Sequence, residues 1–535
     1  MTKIHTMAAR YAAACAALAT IYVSPAMAQT TPSDTQQEIL ALKQQVQALM
    51  QRVDELSARN SEAAAPASAM RAPAPPATAQ PMATTGVAAP TGLQRKAGGG
   101  FTVLTRGGEV SLYGNLDVSL DDTSKGLGAA RAADGSTPAG RTGWLPDISS
   151  NLSYVGIRGF QTLGTLPFNF VYQLETQIDI SATAGTAETN SNTSNAVKGG
   201  LTSRNSFIGI ASASLGSLKI GKTDAPYKTS TARMNAFTGM IGDYAVIMGN
   251  TGGDNRVEFG TRLDHALWYE SPNLHGVTAA LLVSPGQNRG YDNSNIAAGE
   301  SDCSGGNIPG SGATPAACND GSYGNAYSAS LSYAAGPLYL TGAFEQHMGV
   351  NRSSDLGAFD PNAVANEHAA KIGAQYKLPT NTTISAIWET MRRELPAYLQ
   401  YQNERSRNGY WFAVSQDVGA SDSVHFGWAH AGRANGDPGQ HNTDAGAGVD
   451  NTADMYTLAW RHTVDPNMSV YIDFAVTNNH QYAHYDLGAG GRGVTTDCHD
   501  AANPDTTGFD PNGNAPHCYA GGKLRGISAG LKYSF

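Results

Sequence analysis

Two short motifs near the C-terminus have the residue order of enzyme sites. Gly526-Ile527-Ser528-Ala529-Gly530 fits G-x-S-x-G, in which a serine nucleophile sits on a sharp turn between a strand and a helix. Gly488-Ala489-Gly490-Gly491-Arg492-Gly493 fits G-x-G-x-x-G, which binds dinucleotides where a strand meets a helix. Neither motif is followed by a helical pattern. We therefore expect a small-residue strand face and a glycine-rich outer loop, with no catalytic residue and no cofactor.

Four cysteines form two local pairs. Cys303 lies near Cys318, and Cys498 lies near Cys518, each pair within one polar, glycine-rich segment, while Cys15 is isolated near the N-terminus. An even number of cysteines in an exported chain is typical of disulfides. The sequence predicts two loop-closing disulfide bonds.

Histidines near the second cysteine pair leave a zinc site open as an alternative. His499 and His517 adjoin the two thiols, so two thiolates and two imidazoles are available. The oxidising compartment and the spacing favour the disulfide, and we expect no metal. We interpret the histidines of this segment as scattered, solvated side chains: His480, His484, His499 and His517.

The N-terminus has the order of a secretory signal. Lys3 and Arg10 precede an apolar stretch over residues 11–23, and Ala26-Met27-Ala28 precedes Gln29. This stretch is short for a spanning helix, so cleavage after residue 28 is favoured over a retained membrane anchor. Cleavage leaves 33 of 35 basic side chains and all 44 acidic ones, a net charge near −11. Such an acidic chain is a poor ligand for nucleic acid.

Residues 29–108 contain two segments of different character. Apolar residues recur at spacings of three and four on one helical seam: Ile39, Leu42, Val46, Leu49, Val53 and Leu56. This pattern predicts a short periplasmic coiled coil over residues 29–59, with a single amphipathic helix on a surface as the alternative. Residues 60–108 are mainly Ala, Pro and Gly and predict an extended linker. The coiled coil would set the oligomer number or contact peptidoglycan or another periplasmic partner.

From residue 109 onward the apolar pattern has a period of two. In residues 110–120 every even position is apolar or Gly, and every odd position except Tyr113 is polar; residues 168–180 repeat this alternation. One face suits lipid and the other water, and a membrane protein without apolar helices must close a sheet on itself. About sixteen such segments fit between residues 109 and 535. We predict an all-β fold, a transmembrane antiparallel barrel of about 16 strands preceded by the coiled-coil helix.

Connection lengths predict the orientation of this barrel. Short turns near residues 271–273, 335–337, 377–381 and 464–467 alternate with long polar loops. Bacterial barrels have short periplasmic turns and long outer loops. Both chain ends are therefore expected on the periplasmic side, and residues 524–535 form the closing strand.

Several short motifs follow one another in a fixed order along residues 109–535. They are Leu112-Tyr113-Gly114, Gly156-Ile157-Arg158-Gly159, Ser203-Arg204-Asn205-Ser206-Phe207-Ile208-Gly209, Leu218-Lys219-Ile220-Gly221-Lys222 and Tyr269-Glu270-Ser271-Pro272. This order resembles the Gram-negative general porin family, particularly its β-proteobacterial branch. The resemblance implies a homotrimer of sixteen-stranded barrels in the outer membrane, in contact with lipid and lipopolysaccharide. It also implies that the third loop, near residues 223–261, folds into the pore.

The resemblance further implies a pore constriction, in which basic residues on the wall face acids on the inward loop and filter polar solutes. The matching basic residues are Arg158, Arg204, Lys222 and Arg262, and the acids that would oppose them are Asp224, Asp243 and Asp254. Opposed charges across a narrow pore with low-dielectric walls focus the potential. The alternative is that these arginines are merely solvated or paired with neighbouring carboxylates.

Three positions depart from the family pattern. Tyr154 and Trp268 stand where the family often has arginine, and Asn115 replaces a frequent lysine. The third loop lacks the usual Pro-Glu-Phe-Gly-Gly signature and has an apolar run at residues 244–248. This run predicts packing against the wall, with acceptance of a less polar solute as the alternative.

We predict a porin for passive diffusion of small hydrophilic solutes and ions through a water-filled pore, without energy coupling. A substrate-selective outer-membrane channel is one alternative, supported by Tyr154 and Trp268. A cell-envelope tether acting through the coiled coil is another. An enzyme would need a nucleophile and a base on the barrel, and the sequence shows no such pair. Charge selectivity is left open.

Overall fold

The computed structural model describes residues 94–95, 101–124, 144–178, 180–181, 204–248, 259–260, 262–285, 325–351, 364–394, 406–434, 450, 452–480, 483, 485, 487–488 and 523–535. The predicted signal, the predicted coiled coil, Asp254 and the four paired cysteines lie outside these residues.

The described residues form one antiparallel sheet. Its strands are β1 (Gln94–Arg95), β2 (Phe101–Thr105), β3 (Gly108–Ser124), β4 (Trp144–Ser150), β5 (Tyr154–Thr162), β6 (Asn169–Gln177), β7 (Ser206–Ser212), β8 (Gly216–Asp224), β9 (Arg262–Glu270), β10 (Val277–Ser284), β11 (Ala326–Ala335), β12 (Leu338–Asn351), β13 (Val364–Lys377), β14 (Thr382–Arg393), β15 (Arg407–Val418), β16 (Asp422–Ala431), β17 (Ala453–Asp465), β18 (Met468–Asn479) and β19 (Lys523–Ser534).

The sheet closes on itself because the last strand pairs with the first long one. In this closing ladder Lys532 of β19 lies opposite Asp117 of β3. Strands β4 and β5 both pair with β3 and share one position in the ring, separated by a short break at which Leu152 has a φ of 59°. With β1 and β2 outside the ring, the barrel has sixteen strand positions, which confirms the predicted all-β antiparallel barrel of about 16 strands.

Alternation of side chains explains how these strands make a membrane barrel. Along β3, Asp117, Ser119 and Asp121 point inward and are buried, whereas Leu112 and Leu120 point outward and are exposed. An apolar outer face and a polar inner face are what a barrel strand in lipid requires. Within the described residues, no helix is long and apolar enough to cross a membrane.

Short connections all lie at one end of the barrel. They join β5 to β6, β7 to β8, β9 to β10, β11 to β12, β13 to β14, β15 to β16 and β17 to β18. Five of these connections contain residues with positive φ: Gly164, His275 with Gly276, Gly336, Asn381 and Gly419. The start of β3 and the end of β19 lie at this same end, as the connection lengths predict.

A hairpin precedes the barrel, within the segment predicted to be a linker. Strand β2 turns back through Gly107, which has a φ of 84°, and pairs with the first residues of β3. The backbone groups of Phe535 exchange two 3.1 Å hydrogen bonds with Gly114 of β3. The Phe101 ring meets the Phe535 ring edge to face, with centroids 5.9 Å apart. Strand β2 therefore pairs with the first residues of β3, next to Phe535, and β19 pairs with the residues that follow.

The described part of the connection between β8 and β9 (residues 225–248 and 259–260), here called the inner loop, lies inside the barrel. It contains helix α1 (Pro226–Ser230), a 3-10 turn (Ala232–Met234) and helix α2 (Ala245–Met248). Pro226 suits the first turn of α1, where its missing N–H would have no helical partner. Tyr227, Phe237 and Ile247 are at most 1% exposed. The inner loop supplies the apolar core of the barrel interior.

Candidate pore constriction

Polar side chains of the barrel wall fix the first half of the inner loop. Tyr227 donates its hydroxyl proton to Glu389 at 2.5 Å, and Lys371 Nζ donates to Thr231 Oγ1 at 2.9 Å. The Tyr339 hydroxyl donates to the backbone oxygen of Ser230 at 2.6 Å. Strands β12, β13 and β14 thus hold α1 and the residue after it.

Other wall side chains satisfy backbone carbonyls of the inner loop. Trp411 Nε1 donates to the oxygen of Met234 at 3.3 Å, and Arg461 donates to Ala236 at 3.1 Å. Arg407 donates to the oxygen of Ile247 at 2.9 Å. A loop buried inside a barrel needs such donors, because an unpaired buried carbonyl is costly. These contacts bind the loop to β15 and β17.

Apolar contacts complete the attachment. The rings of Phe237 and Tyr244 lie 5.8 and 4.8 Å from that of Trp411, measured between centroids. Val246, Ile247 and Met248 are buried in the same cluster. The apolar run at residues 244–248 therefore packs against the wall. The inner loop packs against the wall from β11 to β19. In the ring of strands, β5 to β8 stand on the side opposite β13 to β16.

The wall opposite the inner loop carries an aromatic and ionic group. Arg204 Nε donates to Glu175 Oε1 at 2.5 Å, and the Tyr113 hydroxyl donates to Glu175 Oε2 at 2.9 Å. The Arg204 guanidinium lies 4.6 Å from the centre of the Tyr154 ring, and that of Arg158 lies 4.6 Å from the Tyr113 ring. Each tyrosine supports one guanidinium by a cation–π contact.

A second ionic group joins the loop entrance to the same wall. Asp224 Oδ1 lies 2.8 Å from Lys228 Nζ and 3.3 Å from Arg262 Nε. Asn205 Nδ2 donates to Asp224 Oδ2 at 2.9 Å, while Asn205 Oδ1 accepts from Arg262 Nε at 3.0 Å. Asn205 follows Arg204 directly, so the two groups adjoin.

These groups contain four of the residues that the resemblance implies for the constriction. Arg158 and Arg204 belong to the group around Glu175, and Arg262 and Asp224 belong to the group around Asn205. Counting both groups, the cations Arg158, Arg204, Lys228 and Arg262 exceed the anions Glu175 and Asp224 by four to two.

The structure places Asp243 and Lys222 elsewhere. Asp243 is buried within the inner loop, where it accepts hydrogen bonds from Asn235 Nδ2 at 2.8 Å and from the Ala245 N–H at 3.0 Å. Burial raises the pKa of Asp243, and these hydrogen bonds oppose the rise. Lys222 has the same parity as the exposed Leu218 and Ile220. This parity places Lys222 on the outer face of β8, opposite the inward-facing Lys219.

Sequence reasoning did not single out Glu175, Tyr113 or Lys228 for this site. Glu175 faces Gly156 across the β5–β6 ladder, and the polar parity of β6 is the signal that places Glu175 in the lumen. Alternation within one strand does not fix the register between strands. It therefore could not show which arginine Glu175 contacts.

Comparison with known proteins decides the family. The family described as Gram-negative porin matches residues 63–482. The chain belongs to the Gram-negative porin family. No curated protein matches it. Among solved structures, the anion-selective porin from Comamonas acidovorans is 16% identical with a TM-score of 0.54, covering 80% of this chain and 100% of that one.

Two further solved structures are similar in fold at lower scores. OmpF of Salmonella typhi, in complex with daunomycin, is 13% identical with a TM-score of 0.48 and covers 80% of this chain and 98% of that one. OmpT of Vibrio cholerae is 12% identical with a TM-score of 0.46, covering 81% and 100%. The porin family and the sixteen-strand barrel make this chain a multi-pass outer-membrane diffusion channel, as the sequence predicts.

Proposed function

We propose that small hydrophilic solutes cross this porin between the inner loop and the wall of β3 to β9, and that anions pass more readily than cations. The observation that carries the proposal is the excess of four cations over two anions in the adjoining groups around Tyr154 and Asp224. Within a narrow, low-dielectric opening such an excess raises the local concentration of anions. The similar Comamonas acidovorans porin is itself described as anion-selective.

Cation–π contacts that hold the guanidinium groups in place support the proposed anion preference. Tyr113 and Tyr154 occupy one face of Arg158 and Arg204, and Glu175 accepts a hydrogen bond from Nε of Arg204. A guanidinium held on a ring keeps its charge and presents its edge in a fixed plane. Tyr154, which replaces a frequent family arginine, thus positions a neighbouring arginine.

The proposal is tested by liposome swelling with solutes of one size and different charge. A neutral hexose, its carboxylate derivative and its amino derivative form a matched set. The neutral sugar should enter readily, and the carboxylate derivative should enter several times faster than the amine. Equal rates for the two charged solutes would refute the anion preference, and exclusion of all three would refute the diffusion channel.

We propose further that the porin is a homotrimer joined through the outer face of β3 to β8. Among described residues, the most exposed large apolar side chains there are Leu and Ile, for example Leu120 and Ile208, while the outward-facing Phe170 and Tyr172 are only partly exposed. By contrast, β11 to β18 expose many aromatic residues, among them Tyr327, Trp388, Phe412, Tyr456 and Trp460. Aromatic belts belong to lipid-facing surface, so the aliphatic face suits a neighbouring subunit.

Matched tryptophan variants test this interface. Ile208 on the aliphatic face and Leu458 on the aromatic face are 52% and 53% exposed. Ile208→Trp should lower the temperature at which the trimer dissociates on unheated gels, because it crowds the interface, whereas Leu458→Trp should leave it unchanged. Equal behaviour of the two variants would contradict the assignment.

We propose no catalytic role for the G-x-S-x-G segment. Ser528 is completely buried in the middle of β19. A Cβ atom on Gly530 would lie 2.1 Å from Cζ of Tyr471, so this glycine makes room for an inward-facing ring. The small residues of β19 serve packing, and Ser528→Ala should leave solute flux unchanged.

A further inference from the structure

Strands β16 and β17 carry the same residue pattern on their outer faces. Residues 422–430 and residues 454–462 both read Asp, five residues, Trp, one residue, His. In the antiparallel register Asp422 lies opposite His462, and Asp454 lies opposite His430. Each aspartate therefore meets the tryptophan and histidine of the other strand.

The two copies of this Asp-Trp-His pattern have the same geometry. In one, Trp460 Nε1 donates to Asp422 Oδ1 at 3.0 Å, and His462 Nδ1 lies 3.0 Å from the same oxygen. The two rings stack with centroids 6.0 Å apart. In the other, Trp428 Nε1 and His430 Nδ1 each lie 2.9 Å from Asp454 Oδ1, and the rings stack at 5.9 Å.

One copy lies at each rim of the apolar band. Between them the outer face exposes Val424, Phe426, Tyr456 and Leu458. At about 3.3 Å per residue the copies are about 26 Å apart along the strands. Strand tilt reduces this to about 20 Å across the membrane, close to the height of the apolar band. The Asp422 copy adjoins the short turns, which places it at the level of the periplasmic lipid headgroups.

The copies differ at the second carboxylate oxygen. Asp454 Oδ2 lies 3.7 Å from Nε2 of His480, whose Nδ1 lies 2.9 Å from Asp450. In the described part of the chain, no side chain makes the corresponding contact with Asp422 Oδ2, and the Asp422 side chain is 37% exposed. At the extracellular rim, the His480 imidazole lies beside the second oxygen of Asp454. At the periplasmic rim, the second oxygen of Asp422 is open to a ligand.

We propose that Asp422, Trp460 and His462 bind the primary ammonium of a phospholipid headgroup in the periplasmic leaflet. The carboxylate accepts hydrogen bonds from the ammonium through Oδ2, and the exposed face of Trp460 adds a cation–π contact. His462, with its proton on Nδ1, donates to Oδ1 and orients the carboxylate. A quaternary ammonium has no N–H to donate, and an anionic headgroup is repelled by Asp422.

Lipid binding to the detergent-purified full chain tests this site. Native mass spectrometry would count bound phosphatidylethanolamine, phosphatidylcholine and phosphatidylglycerol with identical acyl chains. We expect one tightly retained phosphatidylethanolamine per chain, and roughly ten-fold weaker retention of the other two lipids, as loss of a charged hydrogen bond implies. Asp422→Asn should weaken phosphatidylethanolamine binding by the same factor. Asp454→Asn, the matched control, should leave it unchanged.

Equal retention of the three lipids by the wild-type porin would overturn the proposal, as would unchanged binding by Asp422→Asn. Heat-modifiable gel mobility verifies that each variant is folded. If Asp422→Asn does not fold, Trp460→Leu replaces it, since this change keeps an apolar outer residue and removes the indole. Its expected result is a several-fold loss of phosphatidylethanolamine alone, and a loss shared by all three lipids would count against the site.

Discussion

The hydroxyl group of Tyr227 donates to Glu389 at 2.5 Å, which joins the inner loop to strand β14. Lys371 Nζ lies 4.0 Å from the centre of the Tyr227 ring, so a cation and an anion of the wall both contact this side chain. Tyr227 and Glu389 are buried. A buried charge that loses its partner is costly, so this contact is central to the loop position.

Removing the hydroxyl should loosen the inner loop. Tyr227→Phe loses a hydrogen bond to a charged group, which costs about 1.5–3 kcal/mol. We expect more frequent conductance fluctuations in single-channel recordings, because the loop leaves the wall more often. Tyr339→Phe is the control, since its hydroxyl donates to the neutral backbone oxygen of Ser230 and its loss should have a smaller effect. Indistinguishable traces for Tyr227→Phe and wild type would contradict this role.

Gly427 makes room for the ring pair formed by Trp411 of the wall and Phe237 of the inner loop. A Cβ atom on Gly427 would lie 2.3 Å from the Trp411 ring and 2.7 Å from the Phe237 ring. Gly427→Ala should overpack this contact and cost about 1–3 kcal/mol, lowering the temperature of barrel unfolding on gels. Gly342→Ala is a matched strand control, because its nearest such neighbour, the backbone oxygen of Lys371, is 3.9 Å away. Equal melting of both variants would exclude the crowding at Gly427.

The N-terminal segment should be dispensable for the pore. Deleting residues 29–92 spares the β1–β2 hairpin, whose pairing with β3 adjoins Phe535. We expect unchanged single-channel conductance and loss of co-sedimentation with purified peptidoglycan, since the predicted coiled coil is the proposed contact. A truncated porin that still sediments with peptidoglycan would refute that contact, and loss of the trimer would instead assign the segment to assembly.

The loop cysteines remain predicted disulfides. Alkylation of the mature porin without reduction should add no mass, and alkylation after reduction should label four thiols. Peptide mapping should join Cys303 to Cys318 and Cys498 to Cys518. Labelling of Cys498 and Cys518 without reductant, together with bound zinc, would favour the metal alternative.

Strand positions could be predicted because alternation is a local signal. The alternation over residues 168–180 corresponds to β6 as observed. Two features were not predicted: the hairpin of β1 and β2 within the predicted linker, and the division of one barrel position into β4 and β5 around Leu152, whose positive φ a residue pattern does not reveal. A β-branched or leucine residue in this conformation is held there by its surroundings.

The path of the inner loop was less predictable, because contacts between distant residues decide it. Tyr227 meets Glu389, and Trp411 meets Phe237 and Tyr244, across more than a hundred residues of sequence. The wall arginines followed from the family motifs. Predicting that Glu175 and Tyr154 are their partners would have required the register between β5 and β6.

The zero-current potential across a planar bilayer with a ten-fold salt gradient measures the proposed anion preference directly. The wild-type porin should open channels whose reversal potential has the sign of anion flow. Arg204→Gln should move the potential toward zero, and Glu175→Gln should move it further in the anion direction, because the two changes remove opposite charges from one ion pair. Lys377→Gln, at an exposed ion pair with Asp417, should change little. A wild-type potential with the sign of cation flow would refute the proposed anion preference.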